Sequence, residues 1–330
     1  FMKKDFPYSK VIVWGYPLHS HTHSYVHDAY VKTFKYLGYE TYWFHDDDYP
    51  DPKDFDYTNS FFIGEGFADK NLPINDTSAY FIMYCPSPKK YHGKVKQYID
   101  VRTVGVGIKD HIFEYSLDKE KATKVGPGCY LEPATDGKVR IKNDYHDYEI
   151  DDFDRFYISW ATNALPHEID YDDMYIPREP NIYFCGTITT HGVTETISTW
   201  RPFVTEAEKA GYGFIYNNPW QNPLSNEEVI RRTRESILAP DIRGPQAAKQ
   251  GVVTCRLFKN VSYGHLGVTN SKAMYEEMEG KCIFNEDTAQ LFHDAMADRE
   301  NAKLIEEGMK IVKENHTYVN RIDSILSVLK

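Results

Sequence analysis

The sequence predicts an α/β protein of two domains, each a parallel sheet flanked by helices, facing one another across a cleft. Three observations carry this. The chain has 330 residues, long for one core and natural for two. Short apolar runs alternate with helix-period segments along most of its length. A charged stretch with two prolines, "HEIDYDDMYIPREP" (167–180), interrupts that alternation near the middle.

The first domain is expected over 1–165. "KVIVWGY" (10–16) reads as a buried strand. "SYVHDAYVKTFKYLGY" (24–39) has Tyr25, Val26, Ala29, Tyr30, Phe34 and Leu37 at helical spacing, and Gly38 sits where a C-cap belongs. "ETYWF" (40–44) completes a β-α-β unit, which favours parallel pairing and a right-handed crossover. "SFFIGEG" (60–66), "AYFIMYC" (79–85), "VRTVGVGI" (101–108) and "FYISWAT" (156–162) extend the series. Between them, 109–155 is turn-rich and acidic and reads as an irregular excursion or small β insertion. Its "DYHDYEIDDFD" (144–154) is expected to be a solvated surface.

A linker is expected over 166–180 and a second domain over 181–330. "NIYFCGT" (181–187) opens that domain as a strand. A helix from Ser198 to Ala210, the strand "GFIYN" (213–217) and a helix over 225–236 follow. Ser225 with Glu228 three residues on is a capping box. Strands "SILAPDI" (236–242), "LGVTN" (266–270) and "KCIFN" (281–285) alternate with helices near Thr254 and Ser271, and terminal helices run to Leu329. No internal repeat or low-complexity tract interrupts the pattern.

Composition narrows the function classes. Hydrophobic residues make up 41% and aromatics 15%, which supports large cores and excludes disorder. The 26 tyrosines and 18 phenylalanines fit core packing, or stacking surfaces for sugars or bases. The formal charge of −11 opposes nucleic acid and anionic lipid within a Debye length of ~8 Å, and no Lys/Arg cluster reverses it. Nucleic-acid binding is therefore not expected. Cys85, Cys129, Cys185, Cys255 and Cys282 form no C-x-x-C pair, as expected of free thiols in a reducing, cytoplasmic setting. The sequons at Asn75, Asn260 and Asn315 carry no meaning there. No apolar stretch approaches the ~20 residues of a membrane span, and no signal peptide is recognisable. Phe1 before Met2 is expected to be an added residue, with Met2 the natural start.

Ligands of such sheets bind beyond the carboxyl ends of the strands. In the second domain, "CGTITTHG" (185–192) leaves its strand with a glycine and several hydroxyls, "APDIRGPQAAKQG" (239–251) leaves another, and "CRLFKNVSYGHLGVTNSK" (255–272) runs helix, glycine turn, strand and helix start. Arg256 and Lys259 share a helix face, and "TNS" offers free backbone N–H groups. Together these suit a diphosphate held by cations and a helix dipole, without a metal. Ordinary caps and surface charges are the alternative.

"CRLFKNVSYGHLGVTNS" resembles the donor-binding region of glycosyltransferases with the GT-B fold, which pairs two Rossmann-like domains. "KENHTYVNRIDSIL" (313–326) is similar to the H-T-Y-x-N-R tail of the subgroup that includes CgeB-like proteins and other bacterial and viral enzymes with a family 1 C-terminal domain. "WATNALPHEI" (160–169) resembles the segment that enters the interdomain linker in that group. The resemblance implies transfer of a hexosyl or pentosyl group from a UDP- or GDP-linked sugar to a glycan or other hydroxyl acceptor. On the donor side it points to Gly186, Thr187, Arg243, Arg256, Lys259, Tyr263, Thr269, Asn270 and Ser271. Many retaining members carry two glutamates eight positions apart, and alignment on the glycine turn puts Gly251 and Lys259 there. An inverting, metal-independent mechanism is therefore expected, with no cofactor beyond the nucleotide sugar.

Inverting GT-B enzymes often keep their base on the loop after the first strand. "PLHSHTHSYVHD" (17–28) occupies that place. An imidazole of pKa about 6.5 suits the task. The candidates are His21, His23 and His27, with Asp28 and the glycine-flanked Glu65 as orienting acids, or Glu65 as the base itself. Three alternatives stay open: a metal-dependent hydrolase built on alternating His19, His21 and His23, a solvated or capping histidine loop with no chemical role, and a carbohydrate-binding protein without catalysis. "DDD" (46–48) is the one tempting D-x-D match, and it falls in the first domain.

Overall fold

A computed structural model describes residues 5–17, 23–47, 54–66, 69–85, 88–103, 120–142, 147–192 and 195–330. The chain divides into two compact units: Phe1–Ser159 with Tyr318–Lys330, and Trp160–Thr317.

The first unit is built from β1 (Lys10–Trp14), α1 (His23–Tyr36), β2 (Thr41–Phe44), β3 (Ser60–Gly66), β4 (Ala79–Cys85), α2 (Pro88–Tyr91), β5 (Gln97–Thr103), β6 (Thr123–Gly126), β7 (Cys129–Glu132), β8 (Lys138–Lys142), β9 (Asp147–Asp151) and β10 (Asp154–Ile158). Eight strands form one sheet in the order β2-β1-β3-β4-β5-β10-β7-β6. The run from β2 to β10 is parallel, and β7 and β6 close the edge antiparallel. β1 is buried at every position, as its uninterrupted apolar run requires. Gly38, at φ +83°, ends the α1 segment where its sequence placed a stop. The expected β insertion is present: β6 and β7 extend the main sheet, while β8 and β9 pair as a separate hairpin. The strand expected over 101–108 begins earlier, at Gln97, and 104–108 lie outside the described residues.

The second unit is built from β11 (Glu179–Cys185), α3 (Ile197–Lys209), β12 (Gly213–Asn217), α4 (Asn226–Glu235), β13 (Ser236–Leu238), α5 (Pro245–Lys249), α6 (Arg256–Ser262), β14 (Val268–Thr269), α7 (Lys272–Glu277), β15 (Ile283–Phe284), α8 (Thr288–Asp298) and α9 (Ala302–Asn315). Parallel β12-β11-β13 and parallel β14-β15 are joined by an Asp241–Thr269 bridge. The capping box at α4 forms as expected, Ser225 Oγ accepting from the Glu228 amide at 3.2 Å.

The boundary differs from the linker expected over 166–180. Residues 160–178 are bolted to the second unit. Thr162 Oγ1 lies 2.8 Å from Ser262 Oγ, the Tyr263 hydroxyl donates to Asn163 Oδ1 at 2.9 Å, and Arg178 Nη2 donates to the Gly264 carbonyl at 2.8 Å. The last helix, α10 (Tyr318–Leu326), belongs to the first unit instead. Its buried Arg321 donates to the carbonyls of Ser159 (2.6 Å) and Pro127 (2.7 Å), and Tyr318 packs edge-on against Tyr30. A linear hydrophobicity pattern cannot show such long-range bonds.

Gly264 makes the α6–β14 turn at φ +89°, and a Cβ there would stand 2.5 Å from the Asp173 carbonyl carbon. Backbone cannot retreat from that clash, so Gly264→Ala is expected to destabilise the chain by about 2 kcal/mol or more. Chemical denaturation measures this as a lowered midpoint at unchanged slope.

Candidate functional site

In the second unit, the strand-end loops converge on Asp241. Asp241 is fully buried just beyond β13, its amide bonded to the Val268 carbonyl at 2.8 Å. Arg243 Nε donates to Asp241 Oδ2 at 3.0 Å and Arg256 Nη1 donates to Oδ1 at 3.4 Å. Two guanidiniums therefore share one carboxylate. Arg243 is enclosed, with Nη2 bonded to Thr254 Oγ1 at 2.6 Å. Arg256 keeps 29% of its side chain open to solvent. It lies over the Phe184 ring at 4.4 Å and crosses the space a side chain at Gly186 would need. This cluster has excess positive charge and one outward face, which suits an anion.

The structure brings Gly186, Arg243 and Arg256 together and puts exposed Thr187 on the loop leaving β11. Lys259 is half-buried on α6, one turn from Arg256. Four other donor-side candidates are committed inward. Asn270 clamps the Arg243 backbone, accepting from its amide at 2.8 Å and donating to its carbonyl at 2.9 Å. Thr269 Oγ1 donates to Asp241 at 3.4 Å, Ser271 caps the short α7, and Tyr263 holds Asn163. The "TNS" turn thus builds the Asp241 cluster rather than presenting an open helix end. Asp241 itself escaped the sequence reading, since an acid in "APDIRG" looks like any loop carboxylate.

In the first unit, His27 and Glu65 meet at the carboxyl ends of β1 and β3. His27 Nε2 lies 3.2 Å from Glu65 Oε1, and Nδ1 lies 3.4 Å from the Tyr16 carbonyl. The ring sits where a side chain at Gly15 would stand, so that glycine admits it. Both His27 and Glu65 are buried. Asp28 is half-buried on α1, and burial raises its carboxyl pKa despite Lys32 nearby. His23 opens α1. His19 and His21 lie outside the described residues, as does Asp48 of "DDD". Among the described residues, no three His, Cys, Asp or Glu side chains form a group able to hold a metal ion.

Behind Glu65 lies a buried polar layer that the sequence did not single out. Asp69 Oδ2 accepts from the Gly66 amide at 2.9 Å and from the Tyr80 hydroxyl. Burial pushes the Asp69 carboxyl up to about 7, against the opposing pull of Tyr80 and Gly66.

The comparisons with known proteins fit this geometry. Residues 185–327 match a family described as glycosyl transferase-like, a span that includes the whole Asp241 cluster. No curated protein matches the chain. A solved structure, an alpha-glucosyltransferase in complex with UDP and a 13-mer DNA containing a central A:G mismatch, is similar in fold. It covers 96% of this chain and 99% of its own, with a TM-score of 0.52 at 9% identity. The chain thus has the fold class of GT-B glycosyltransferases, and the resemblance to glycosyltransferases is borne out over residues 185–327. No helix among the described residues is long and apolar enough to cross a membrane.

Asp69 gives the site a pH signature. A carboxyl whose folded pKa is raised binds its proton more tightly folded than unfolded. That stability is fully present below about pH 4 and is lost as pH rises through about 7. Asp69→Asn cannot titrate, so the stability of wild type minus variant is expected to decline from about pH 4 to 7. Urea melts across that range test this, and a flat difference refutes the assignment.

Proposed function

We propose that this chain transfers a sugar from a nucleoside diphosphate sugar, with UDP the leading nucleotide, to a hydroxyl of a glycan or related acceptor. The observation that carries this is Arg256: partly open, stacked on Phe184, and tied to a carboxylate that Arg243 already neutralises. A diphosphate meets its cationic face with charge-assisted bonds and needs no metal bridge there. Lys259, on the same helix, supplies further positive charge to the leaving group. The match of 185–327 to a glycosyl transferase-like family and the UDP bound in the structural neighbour support this reading. That neighbour also carries DNA, but the −11 charge of this chain disfavours a polyanionic acceptor.

The first unit supplies the base in this reading. The acceptor oxygen attacks the anomeric carbon, the bond to the β-phosphate oxygen breaks, and the nucleoside diphosphate leaves with the electron pair. The acceptor proton passes to Glu65, which His27 holds in place. His27 is fully enclosed, and both its ring nitrogens already face oxygens, so it orients rather than accepts. With Gly251 and Lys259 where the two glutamates would fall, a single inverting displacement is the favoured course.

Calorimetric titration with UDP in the presence of a chelator is the first test. Arg256→Ala is expected to weaken UDP by at least tenfold, since such bonds contribute about 1.5–3 kcal/mol. Loss of UDP binding on chelation, or an unchanged Kd in Arg256→Ala, refutes the donor assignment.

Glu65→Gln addresses the base. It is expected to lower kcat by ~10²–10⁴ with UDP affinity intact. The anomeric configuration of the product, read by proton NMR, decides inversion.

A further inference from the structure

Glu65 stands between two glycines at the end of β3. The β3–β4 register shifts between Gly64 and Gly66, and Gly66 has φ +69°. A Cβ at Gly64 would come within 2.6 Å of Asp69 Oδ2 and 2.7 Å of the Tyr80 hydroxyl, so those two groups fill the space beside the strand end. The Gly66 amide points at both, 2.9 Å from Asp69 Oδ2 and 3.1 Å from Tyr80 Oη. The Tyr91 hydroxyl donates to the carbonyls of Gly66 (3.0 Å) and Asp69 (3.1 Å), and the Lys90 ammonium reaches the Asp69 carbonyl. Asp69, Tyr80 and Tyr91 are all buried.

We propose that Asp69 is a positioning residue: its carboxyl seats the Gly64–Gly66 strand end so that Glu65 is held against His27. The catalytic consequence rests on the reading of Glu65 as the base. Asp69 touches no reacting atom in that reading. Its work is geometric, because a strand end of two glycines has no side chains of its own to fix the carboxylate between them. Charged and titratable groups face Asp69 from each neighbouring element: Glu65 from β3, Asp46 from the loop after β2, Tyr80 from β4, and Lys90 and Tyr91 from α2. Burial raises its pKa, with Glu65 and Asp46 adding to the effect, so Asp69 holds a proton more readily than an ordinary carboxyl. A neutral carboxyl there seats Gly66 without placing a further negative charge beside Glu65. An amide of the same shape keeps an oxygen for Gly66 and Tyr80, and a methyl group does not.

The test uses the full chain with Asp69→Ala, Asp69→Asn and Tyr80→Phe, read by the imidazole NMR resonances of His27 and by steady-state kinetics. Asp69→Ala is expected to shift the His27 resonances and lower kcat at least tenfold, with donor KM within twofold. Asp69→Asn should leave the resonances in place and kcat within threefold. Tyr80→Phe should produce a smaller change in the direction of Asp69→Ala. Unmoved His27 resonances and unchanged kcat in Asp69→Ala overturn the proposal, and so does an Asn variant as damaged as the Ala variant. If Asp69→Ala does not fold, Tyr80→Phe decides, and an unshifted His27 there overturns it. A wild-type chain that transfers no sugar defeats the glycosyltransferase reading alone, since the His27 resonances still report on the seating of Glu65.

Discussion

The strand-end loops of the second unit depend on one buried carboxylate. Asp241 is cut off from water, and an ionised group there is tolerated only with full compensation. Arg243 supplies it at 3.0 Å from within the fold. That pairing requires the loop after β13 to hold a fixed course, and Asn270 enforces it by gripping the Arg243 backbone at both amide and carbonyl. Thr269 ties β14 to the same carboxylate, and the Asp241–Thr269 bridge joins the two short sheets. Once Asp241 is satisfied internally, Arg256 is bound to it by only one 3.4 Å contact and keeps an open face. The electrostatic surplus is a consequence of how the sheets are joined.

The first unit uses its aromatic residues differently. Ile12, Trp14, Tyr57, Phe62, Tyr80, Tyr91, Tyr98, Ile141 and Phe153 form one buried cluster, so many of the tyrosines are core residues with a polar tip. Those tips are where the core meets the strand ends. Tyr80 and Tyr91 bury their rings and spend their hydroxyls on Asp69 and Gly66. A phenylalanine core of the same size would take away the carboxyl's hydroxyl donor and leave it resting on the Gly66 amide. The high tyrosine content thus allows a polar layer to sit directly on an apolar one.

The local elements were legible because local chemistry decides them. β1, α1, β3 and β4 follow from run length and helical period, and α4 follows from Ser225 and Glu228. The boundaries were not legible, since Thr162, Asn163 and Arg178 reach residues about 86 to 100 positions away. The tail motif shows the same limit. Its His316 stacks on Phe258 at 4.1 Å, Thr317 bridges to Thr162, and Arg321 caps two carbonyls of the first unit. Spacing marked the motif as distinctive, but only the contacts show that it secures the chain's return to the first unit.

The histidines show what spacing leaves undecided. Alternation places His19, His21 and His23 on one side of an extended chain; His19 and His21 lie outside the described residues, and α1 begins at His23. His27, deeper in the helix, reaches Glu65, because Gly15 leaves room for its ring against β1. Burial alone does not identify such a residue. His265 is equally enclosed, beside the Thr233 carbonyl and Arg178, and burial pushes it down to about 3. That imidazole stays neutral at physiological pH and serves packing. What separates His27 is a buried carboxylate at a strand end, with a second buried acid, Asp69, accepting from the adjoining Gly66 amide. That combination requires β1, α1, β3 and β4 to come together, and no window of sequence contains it.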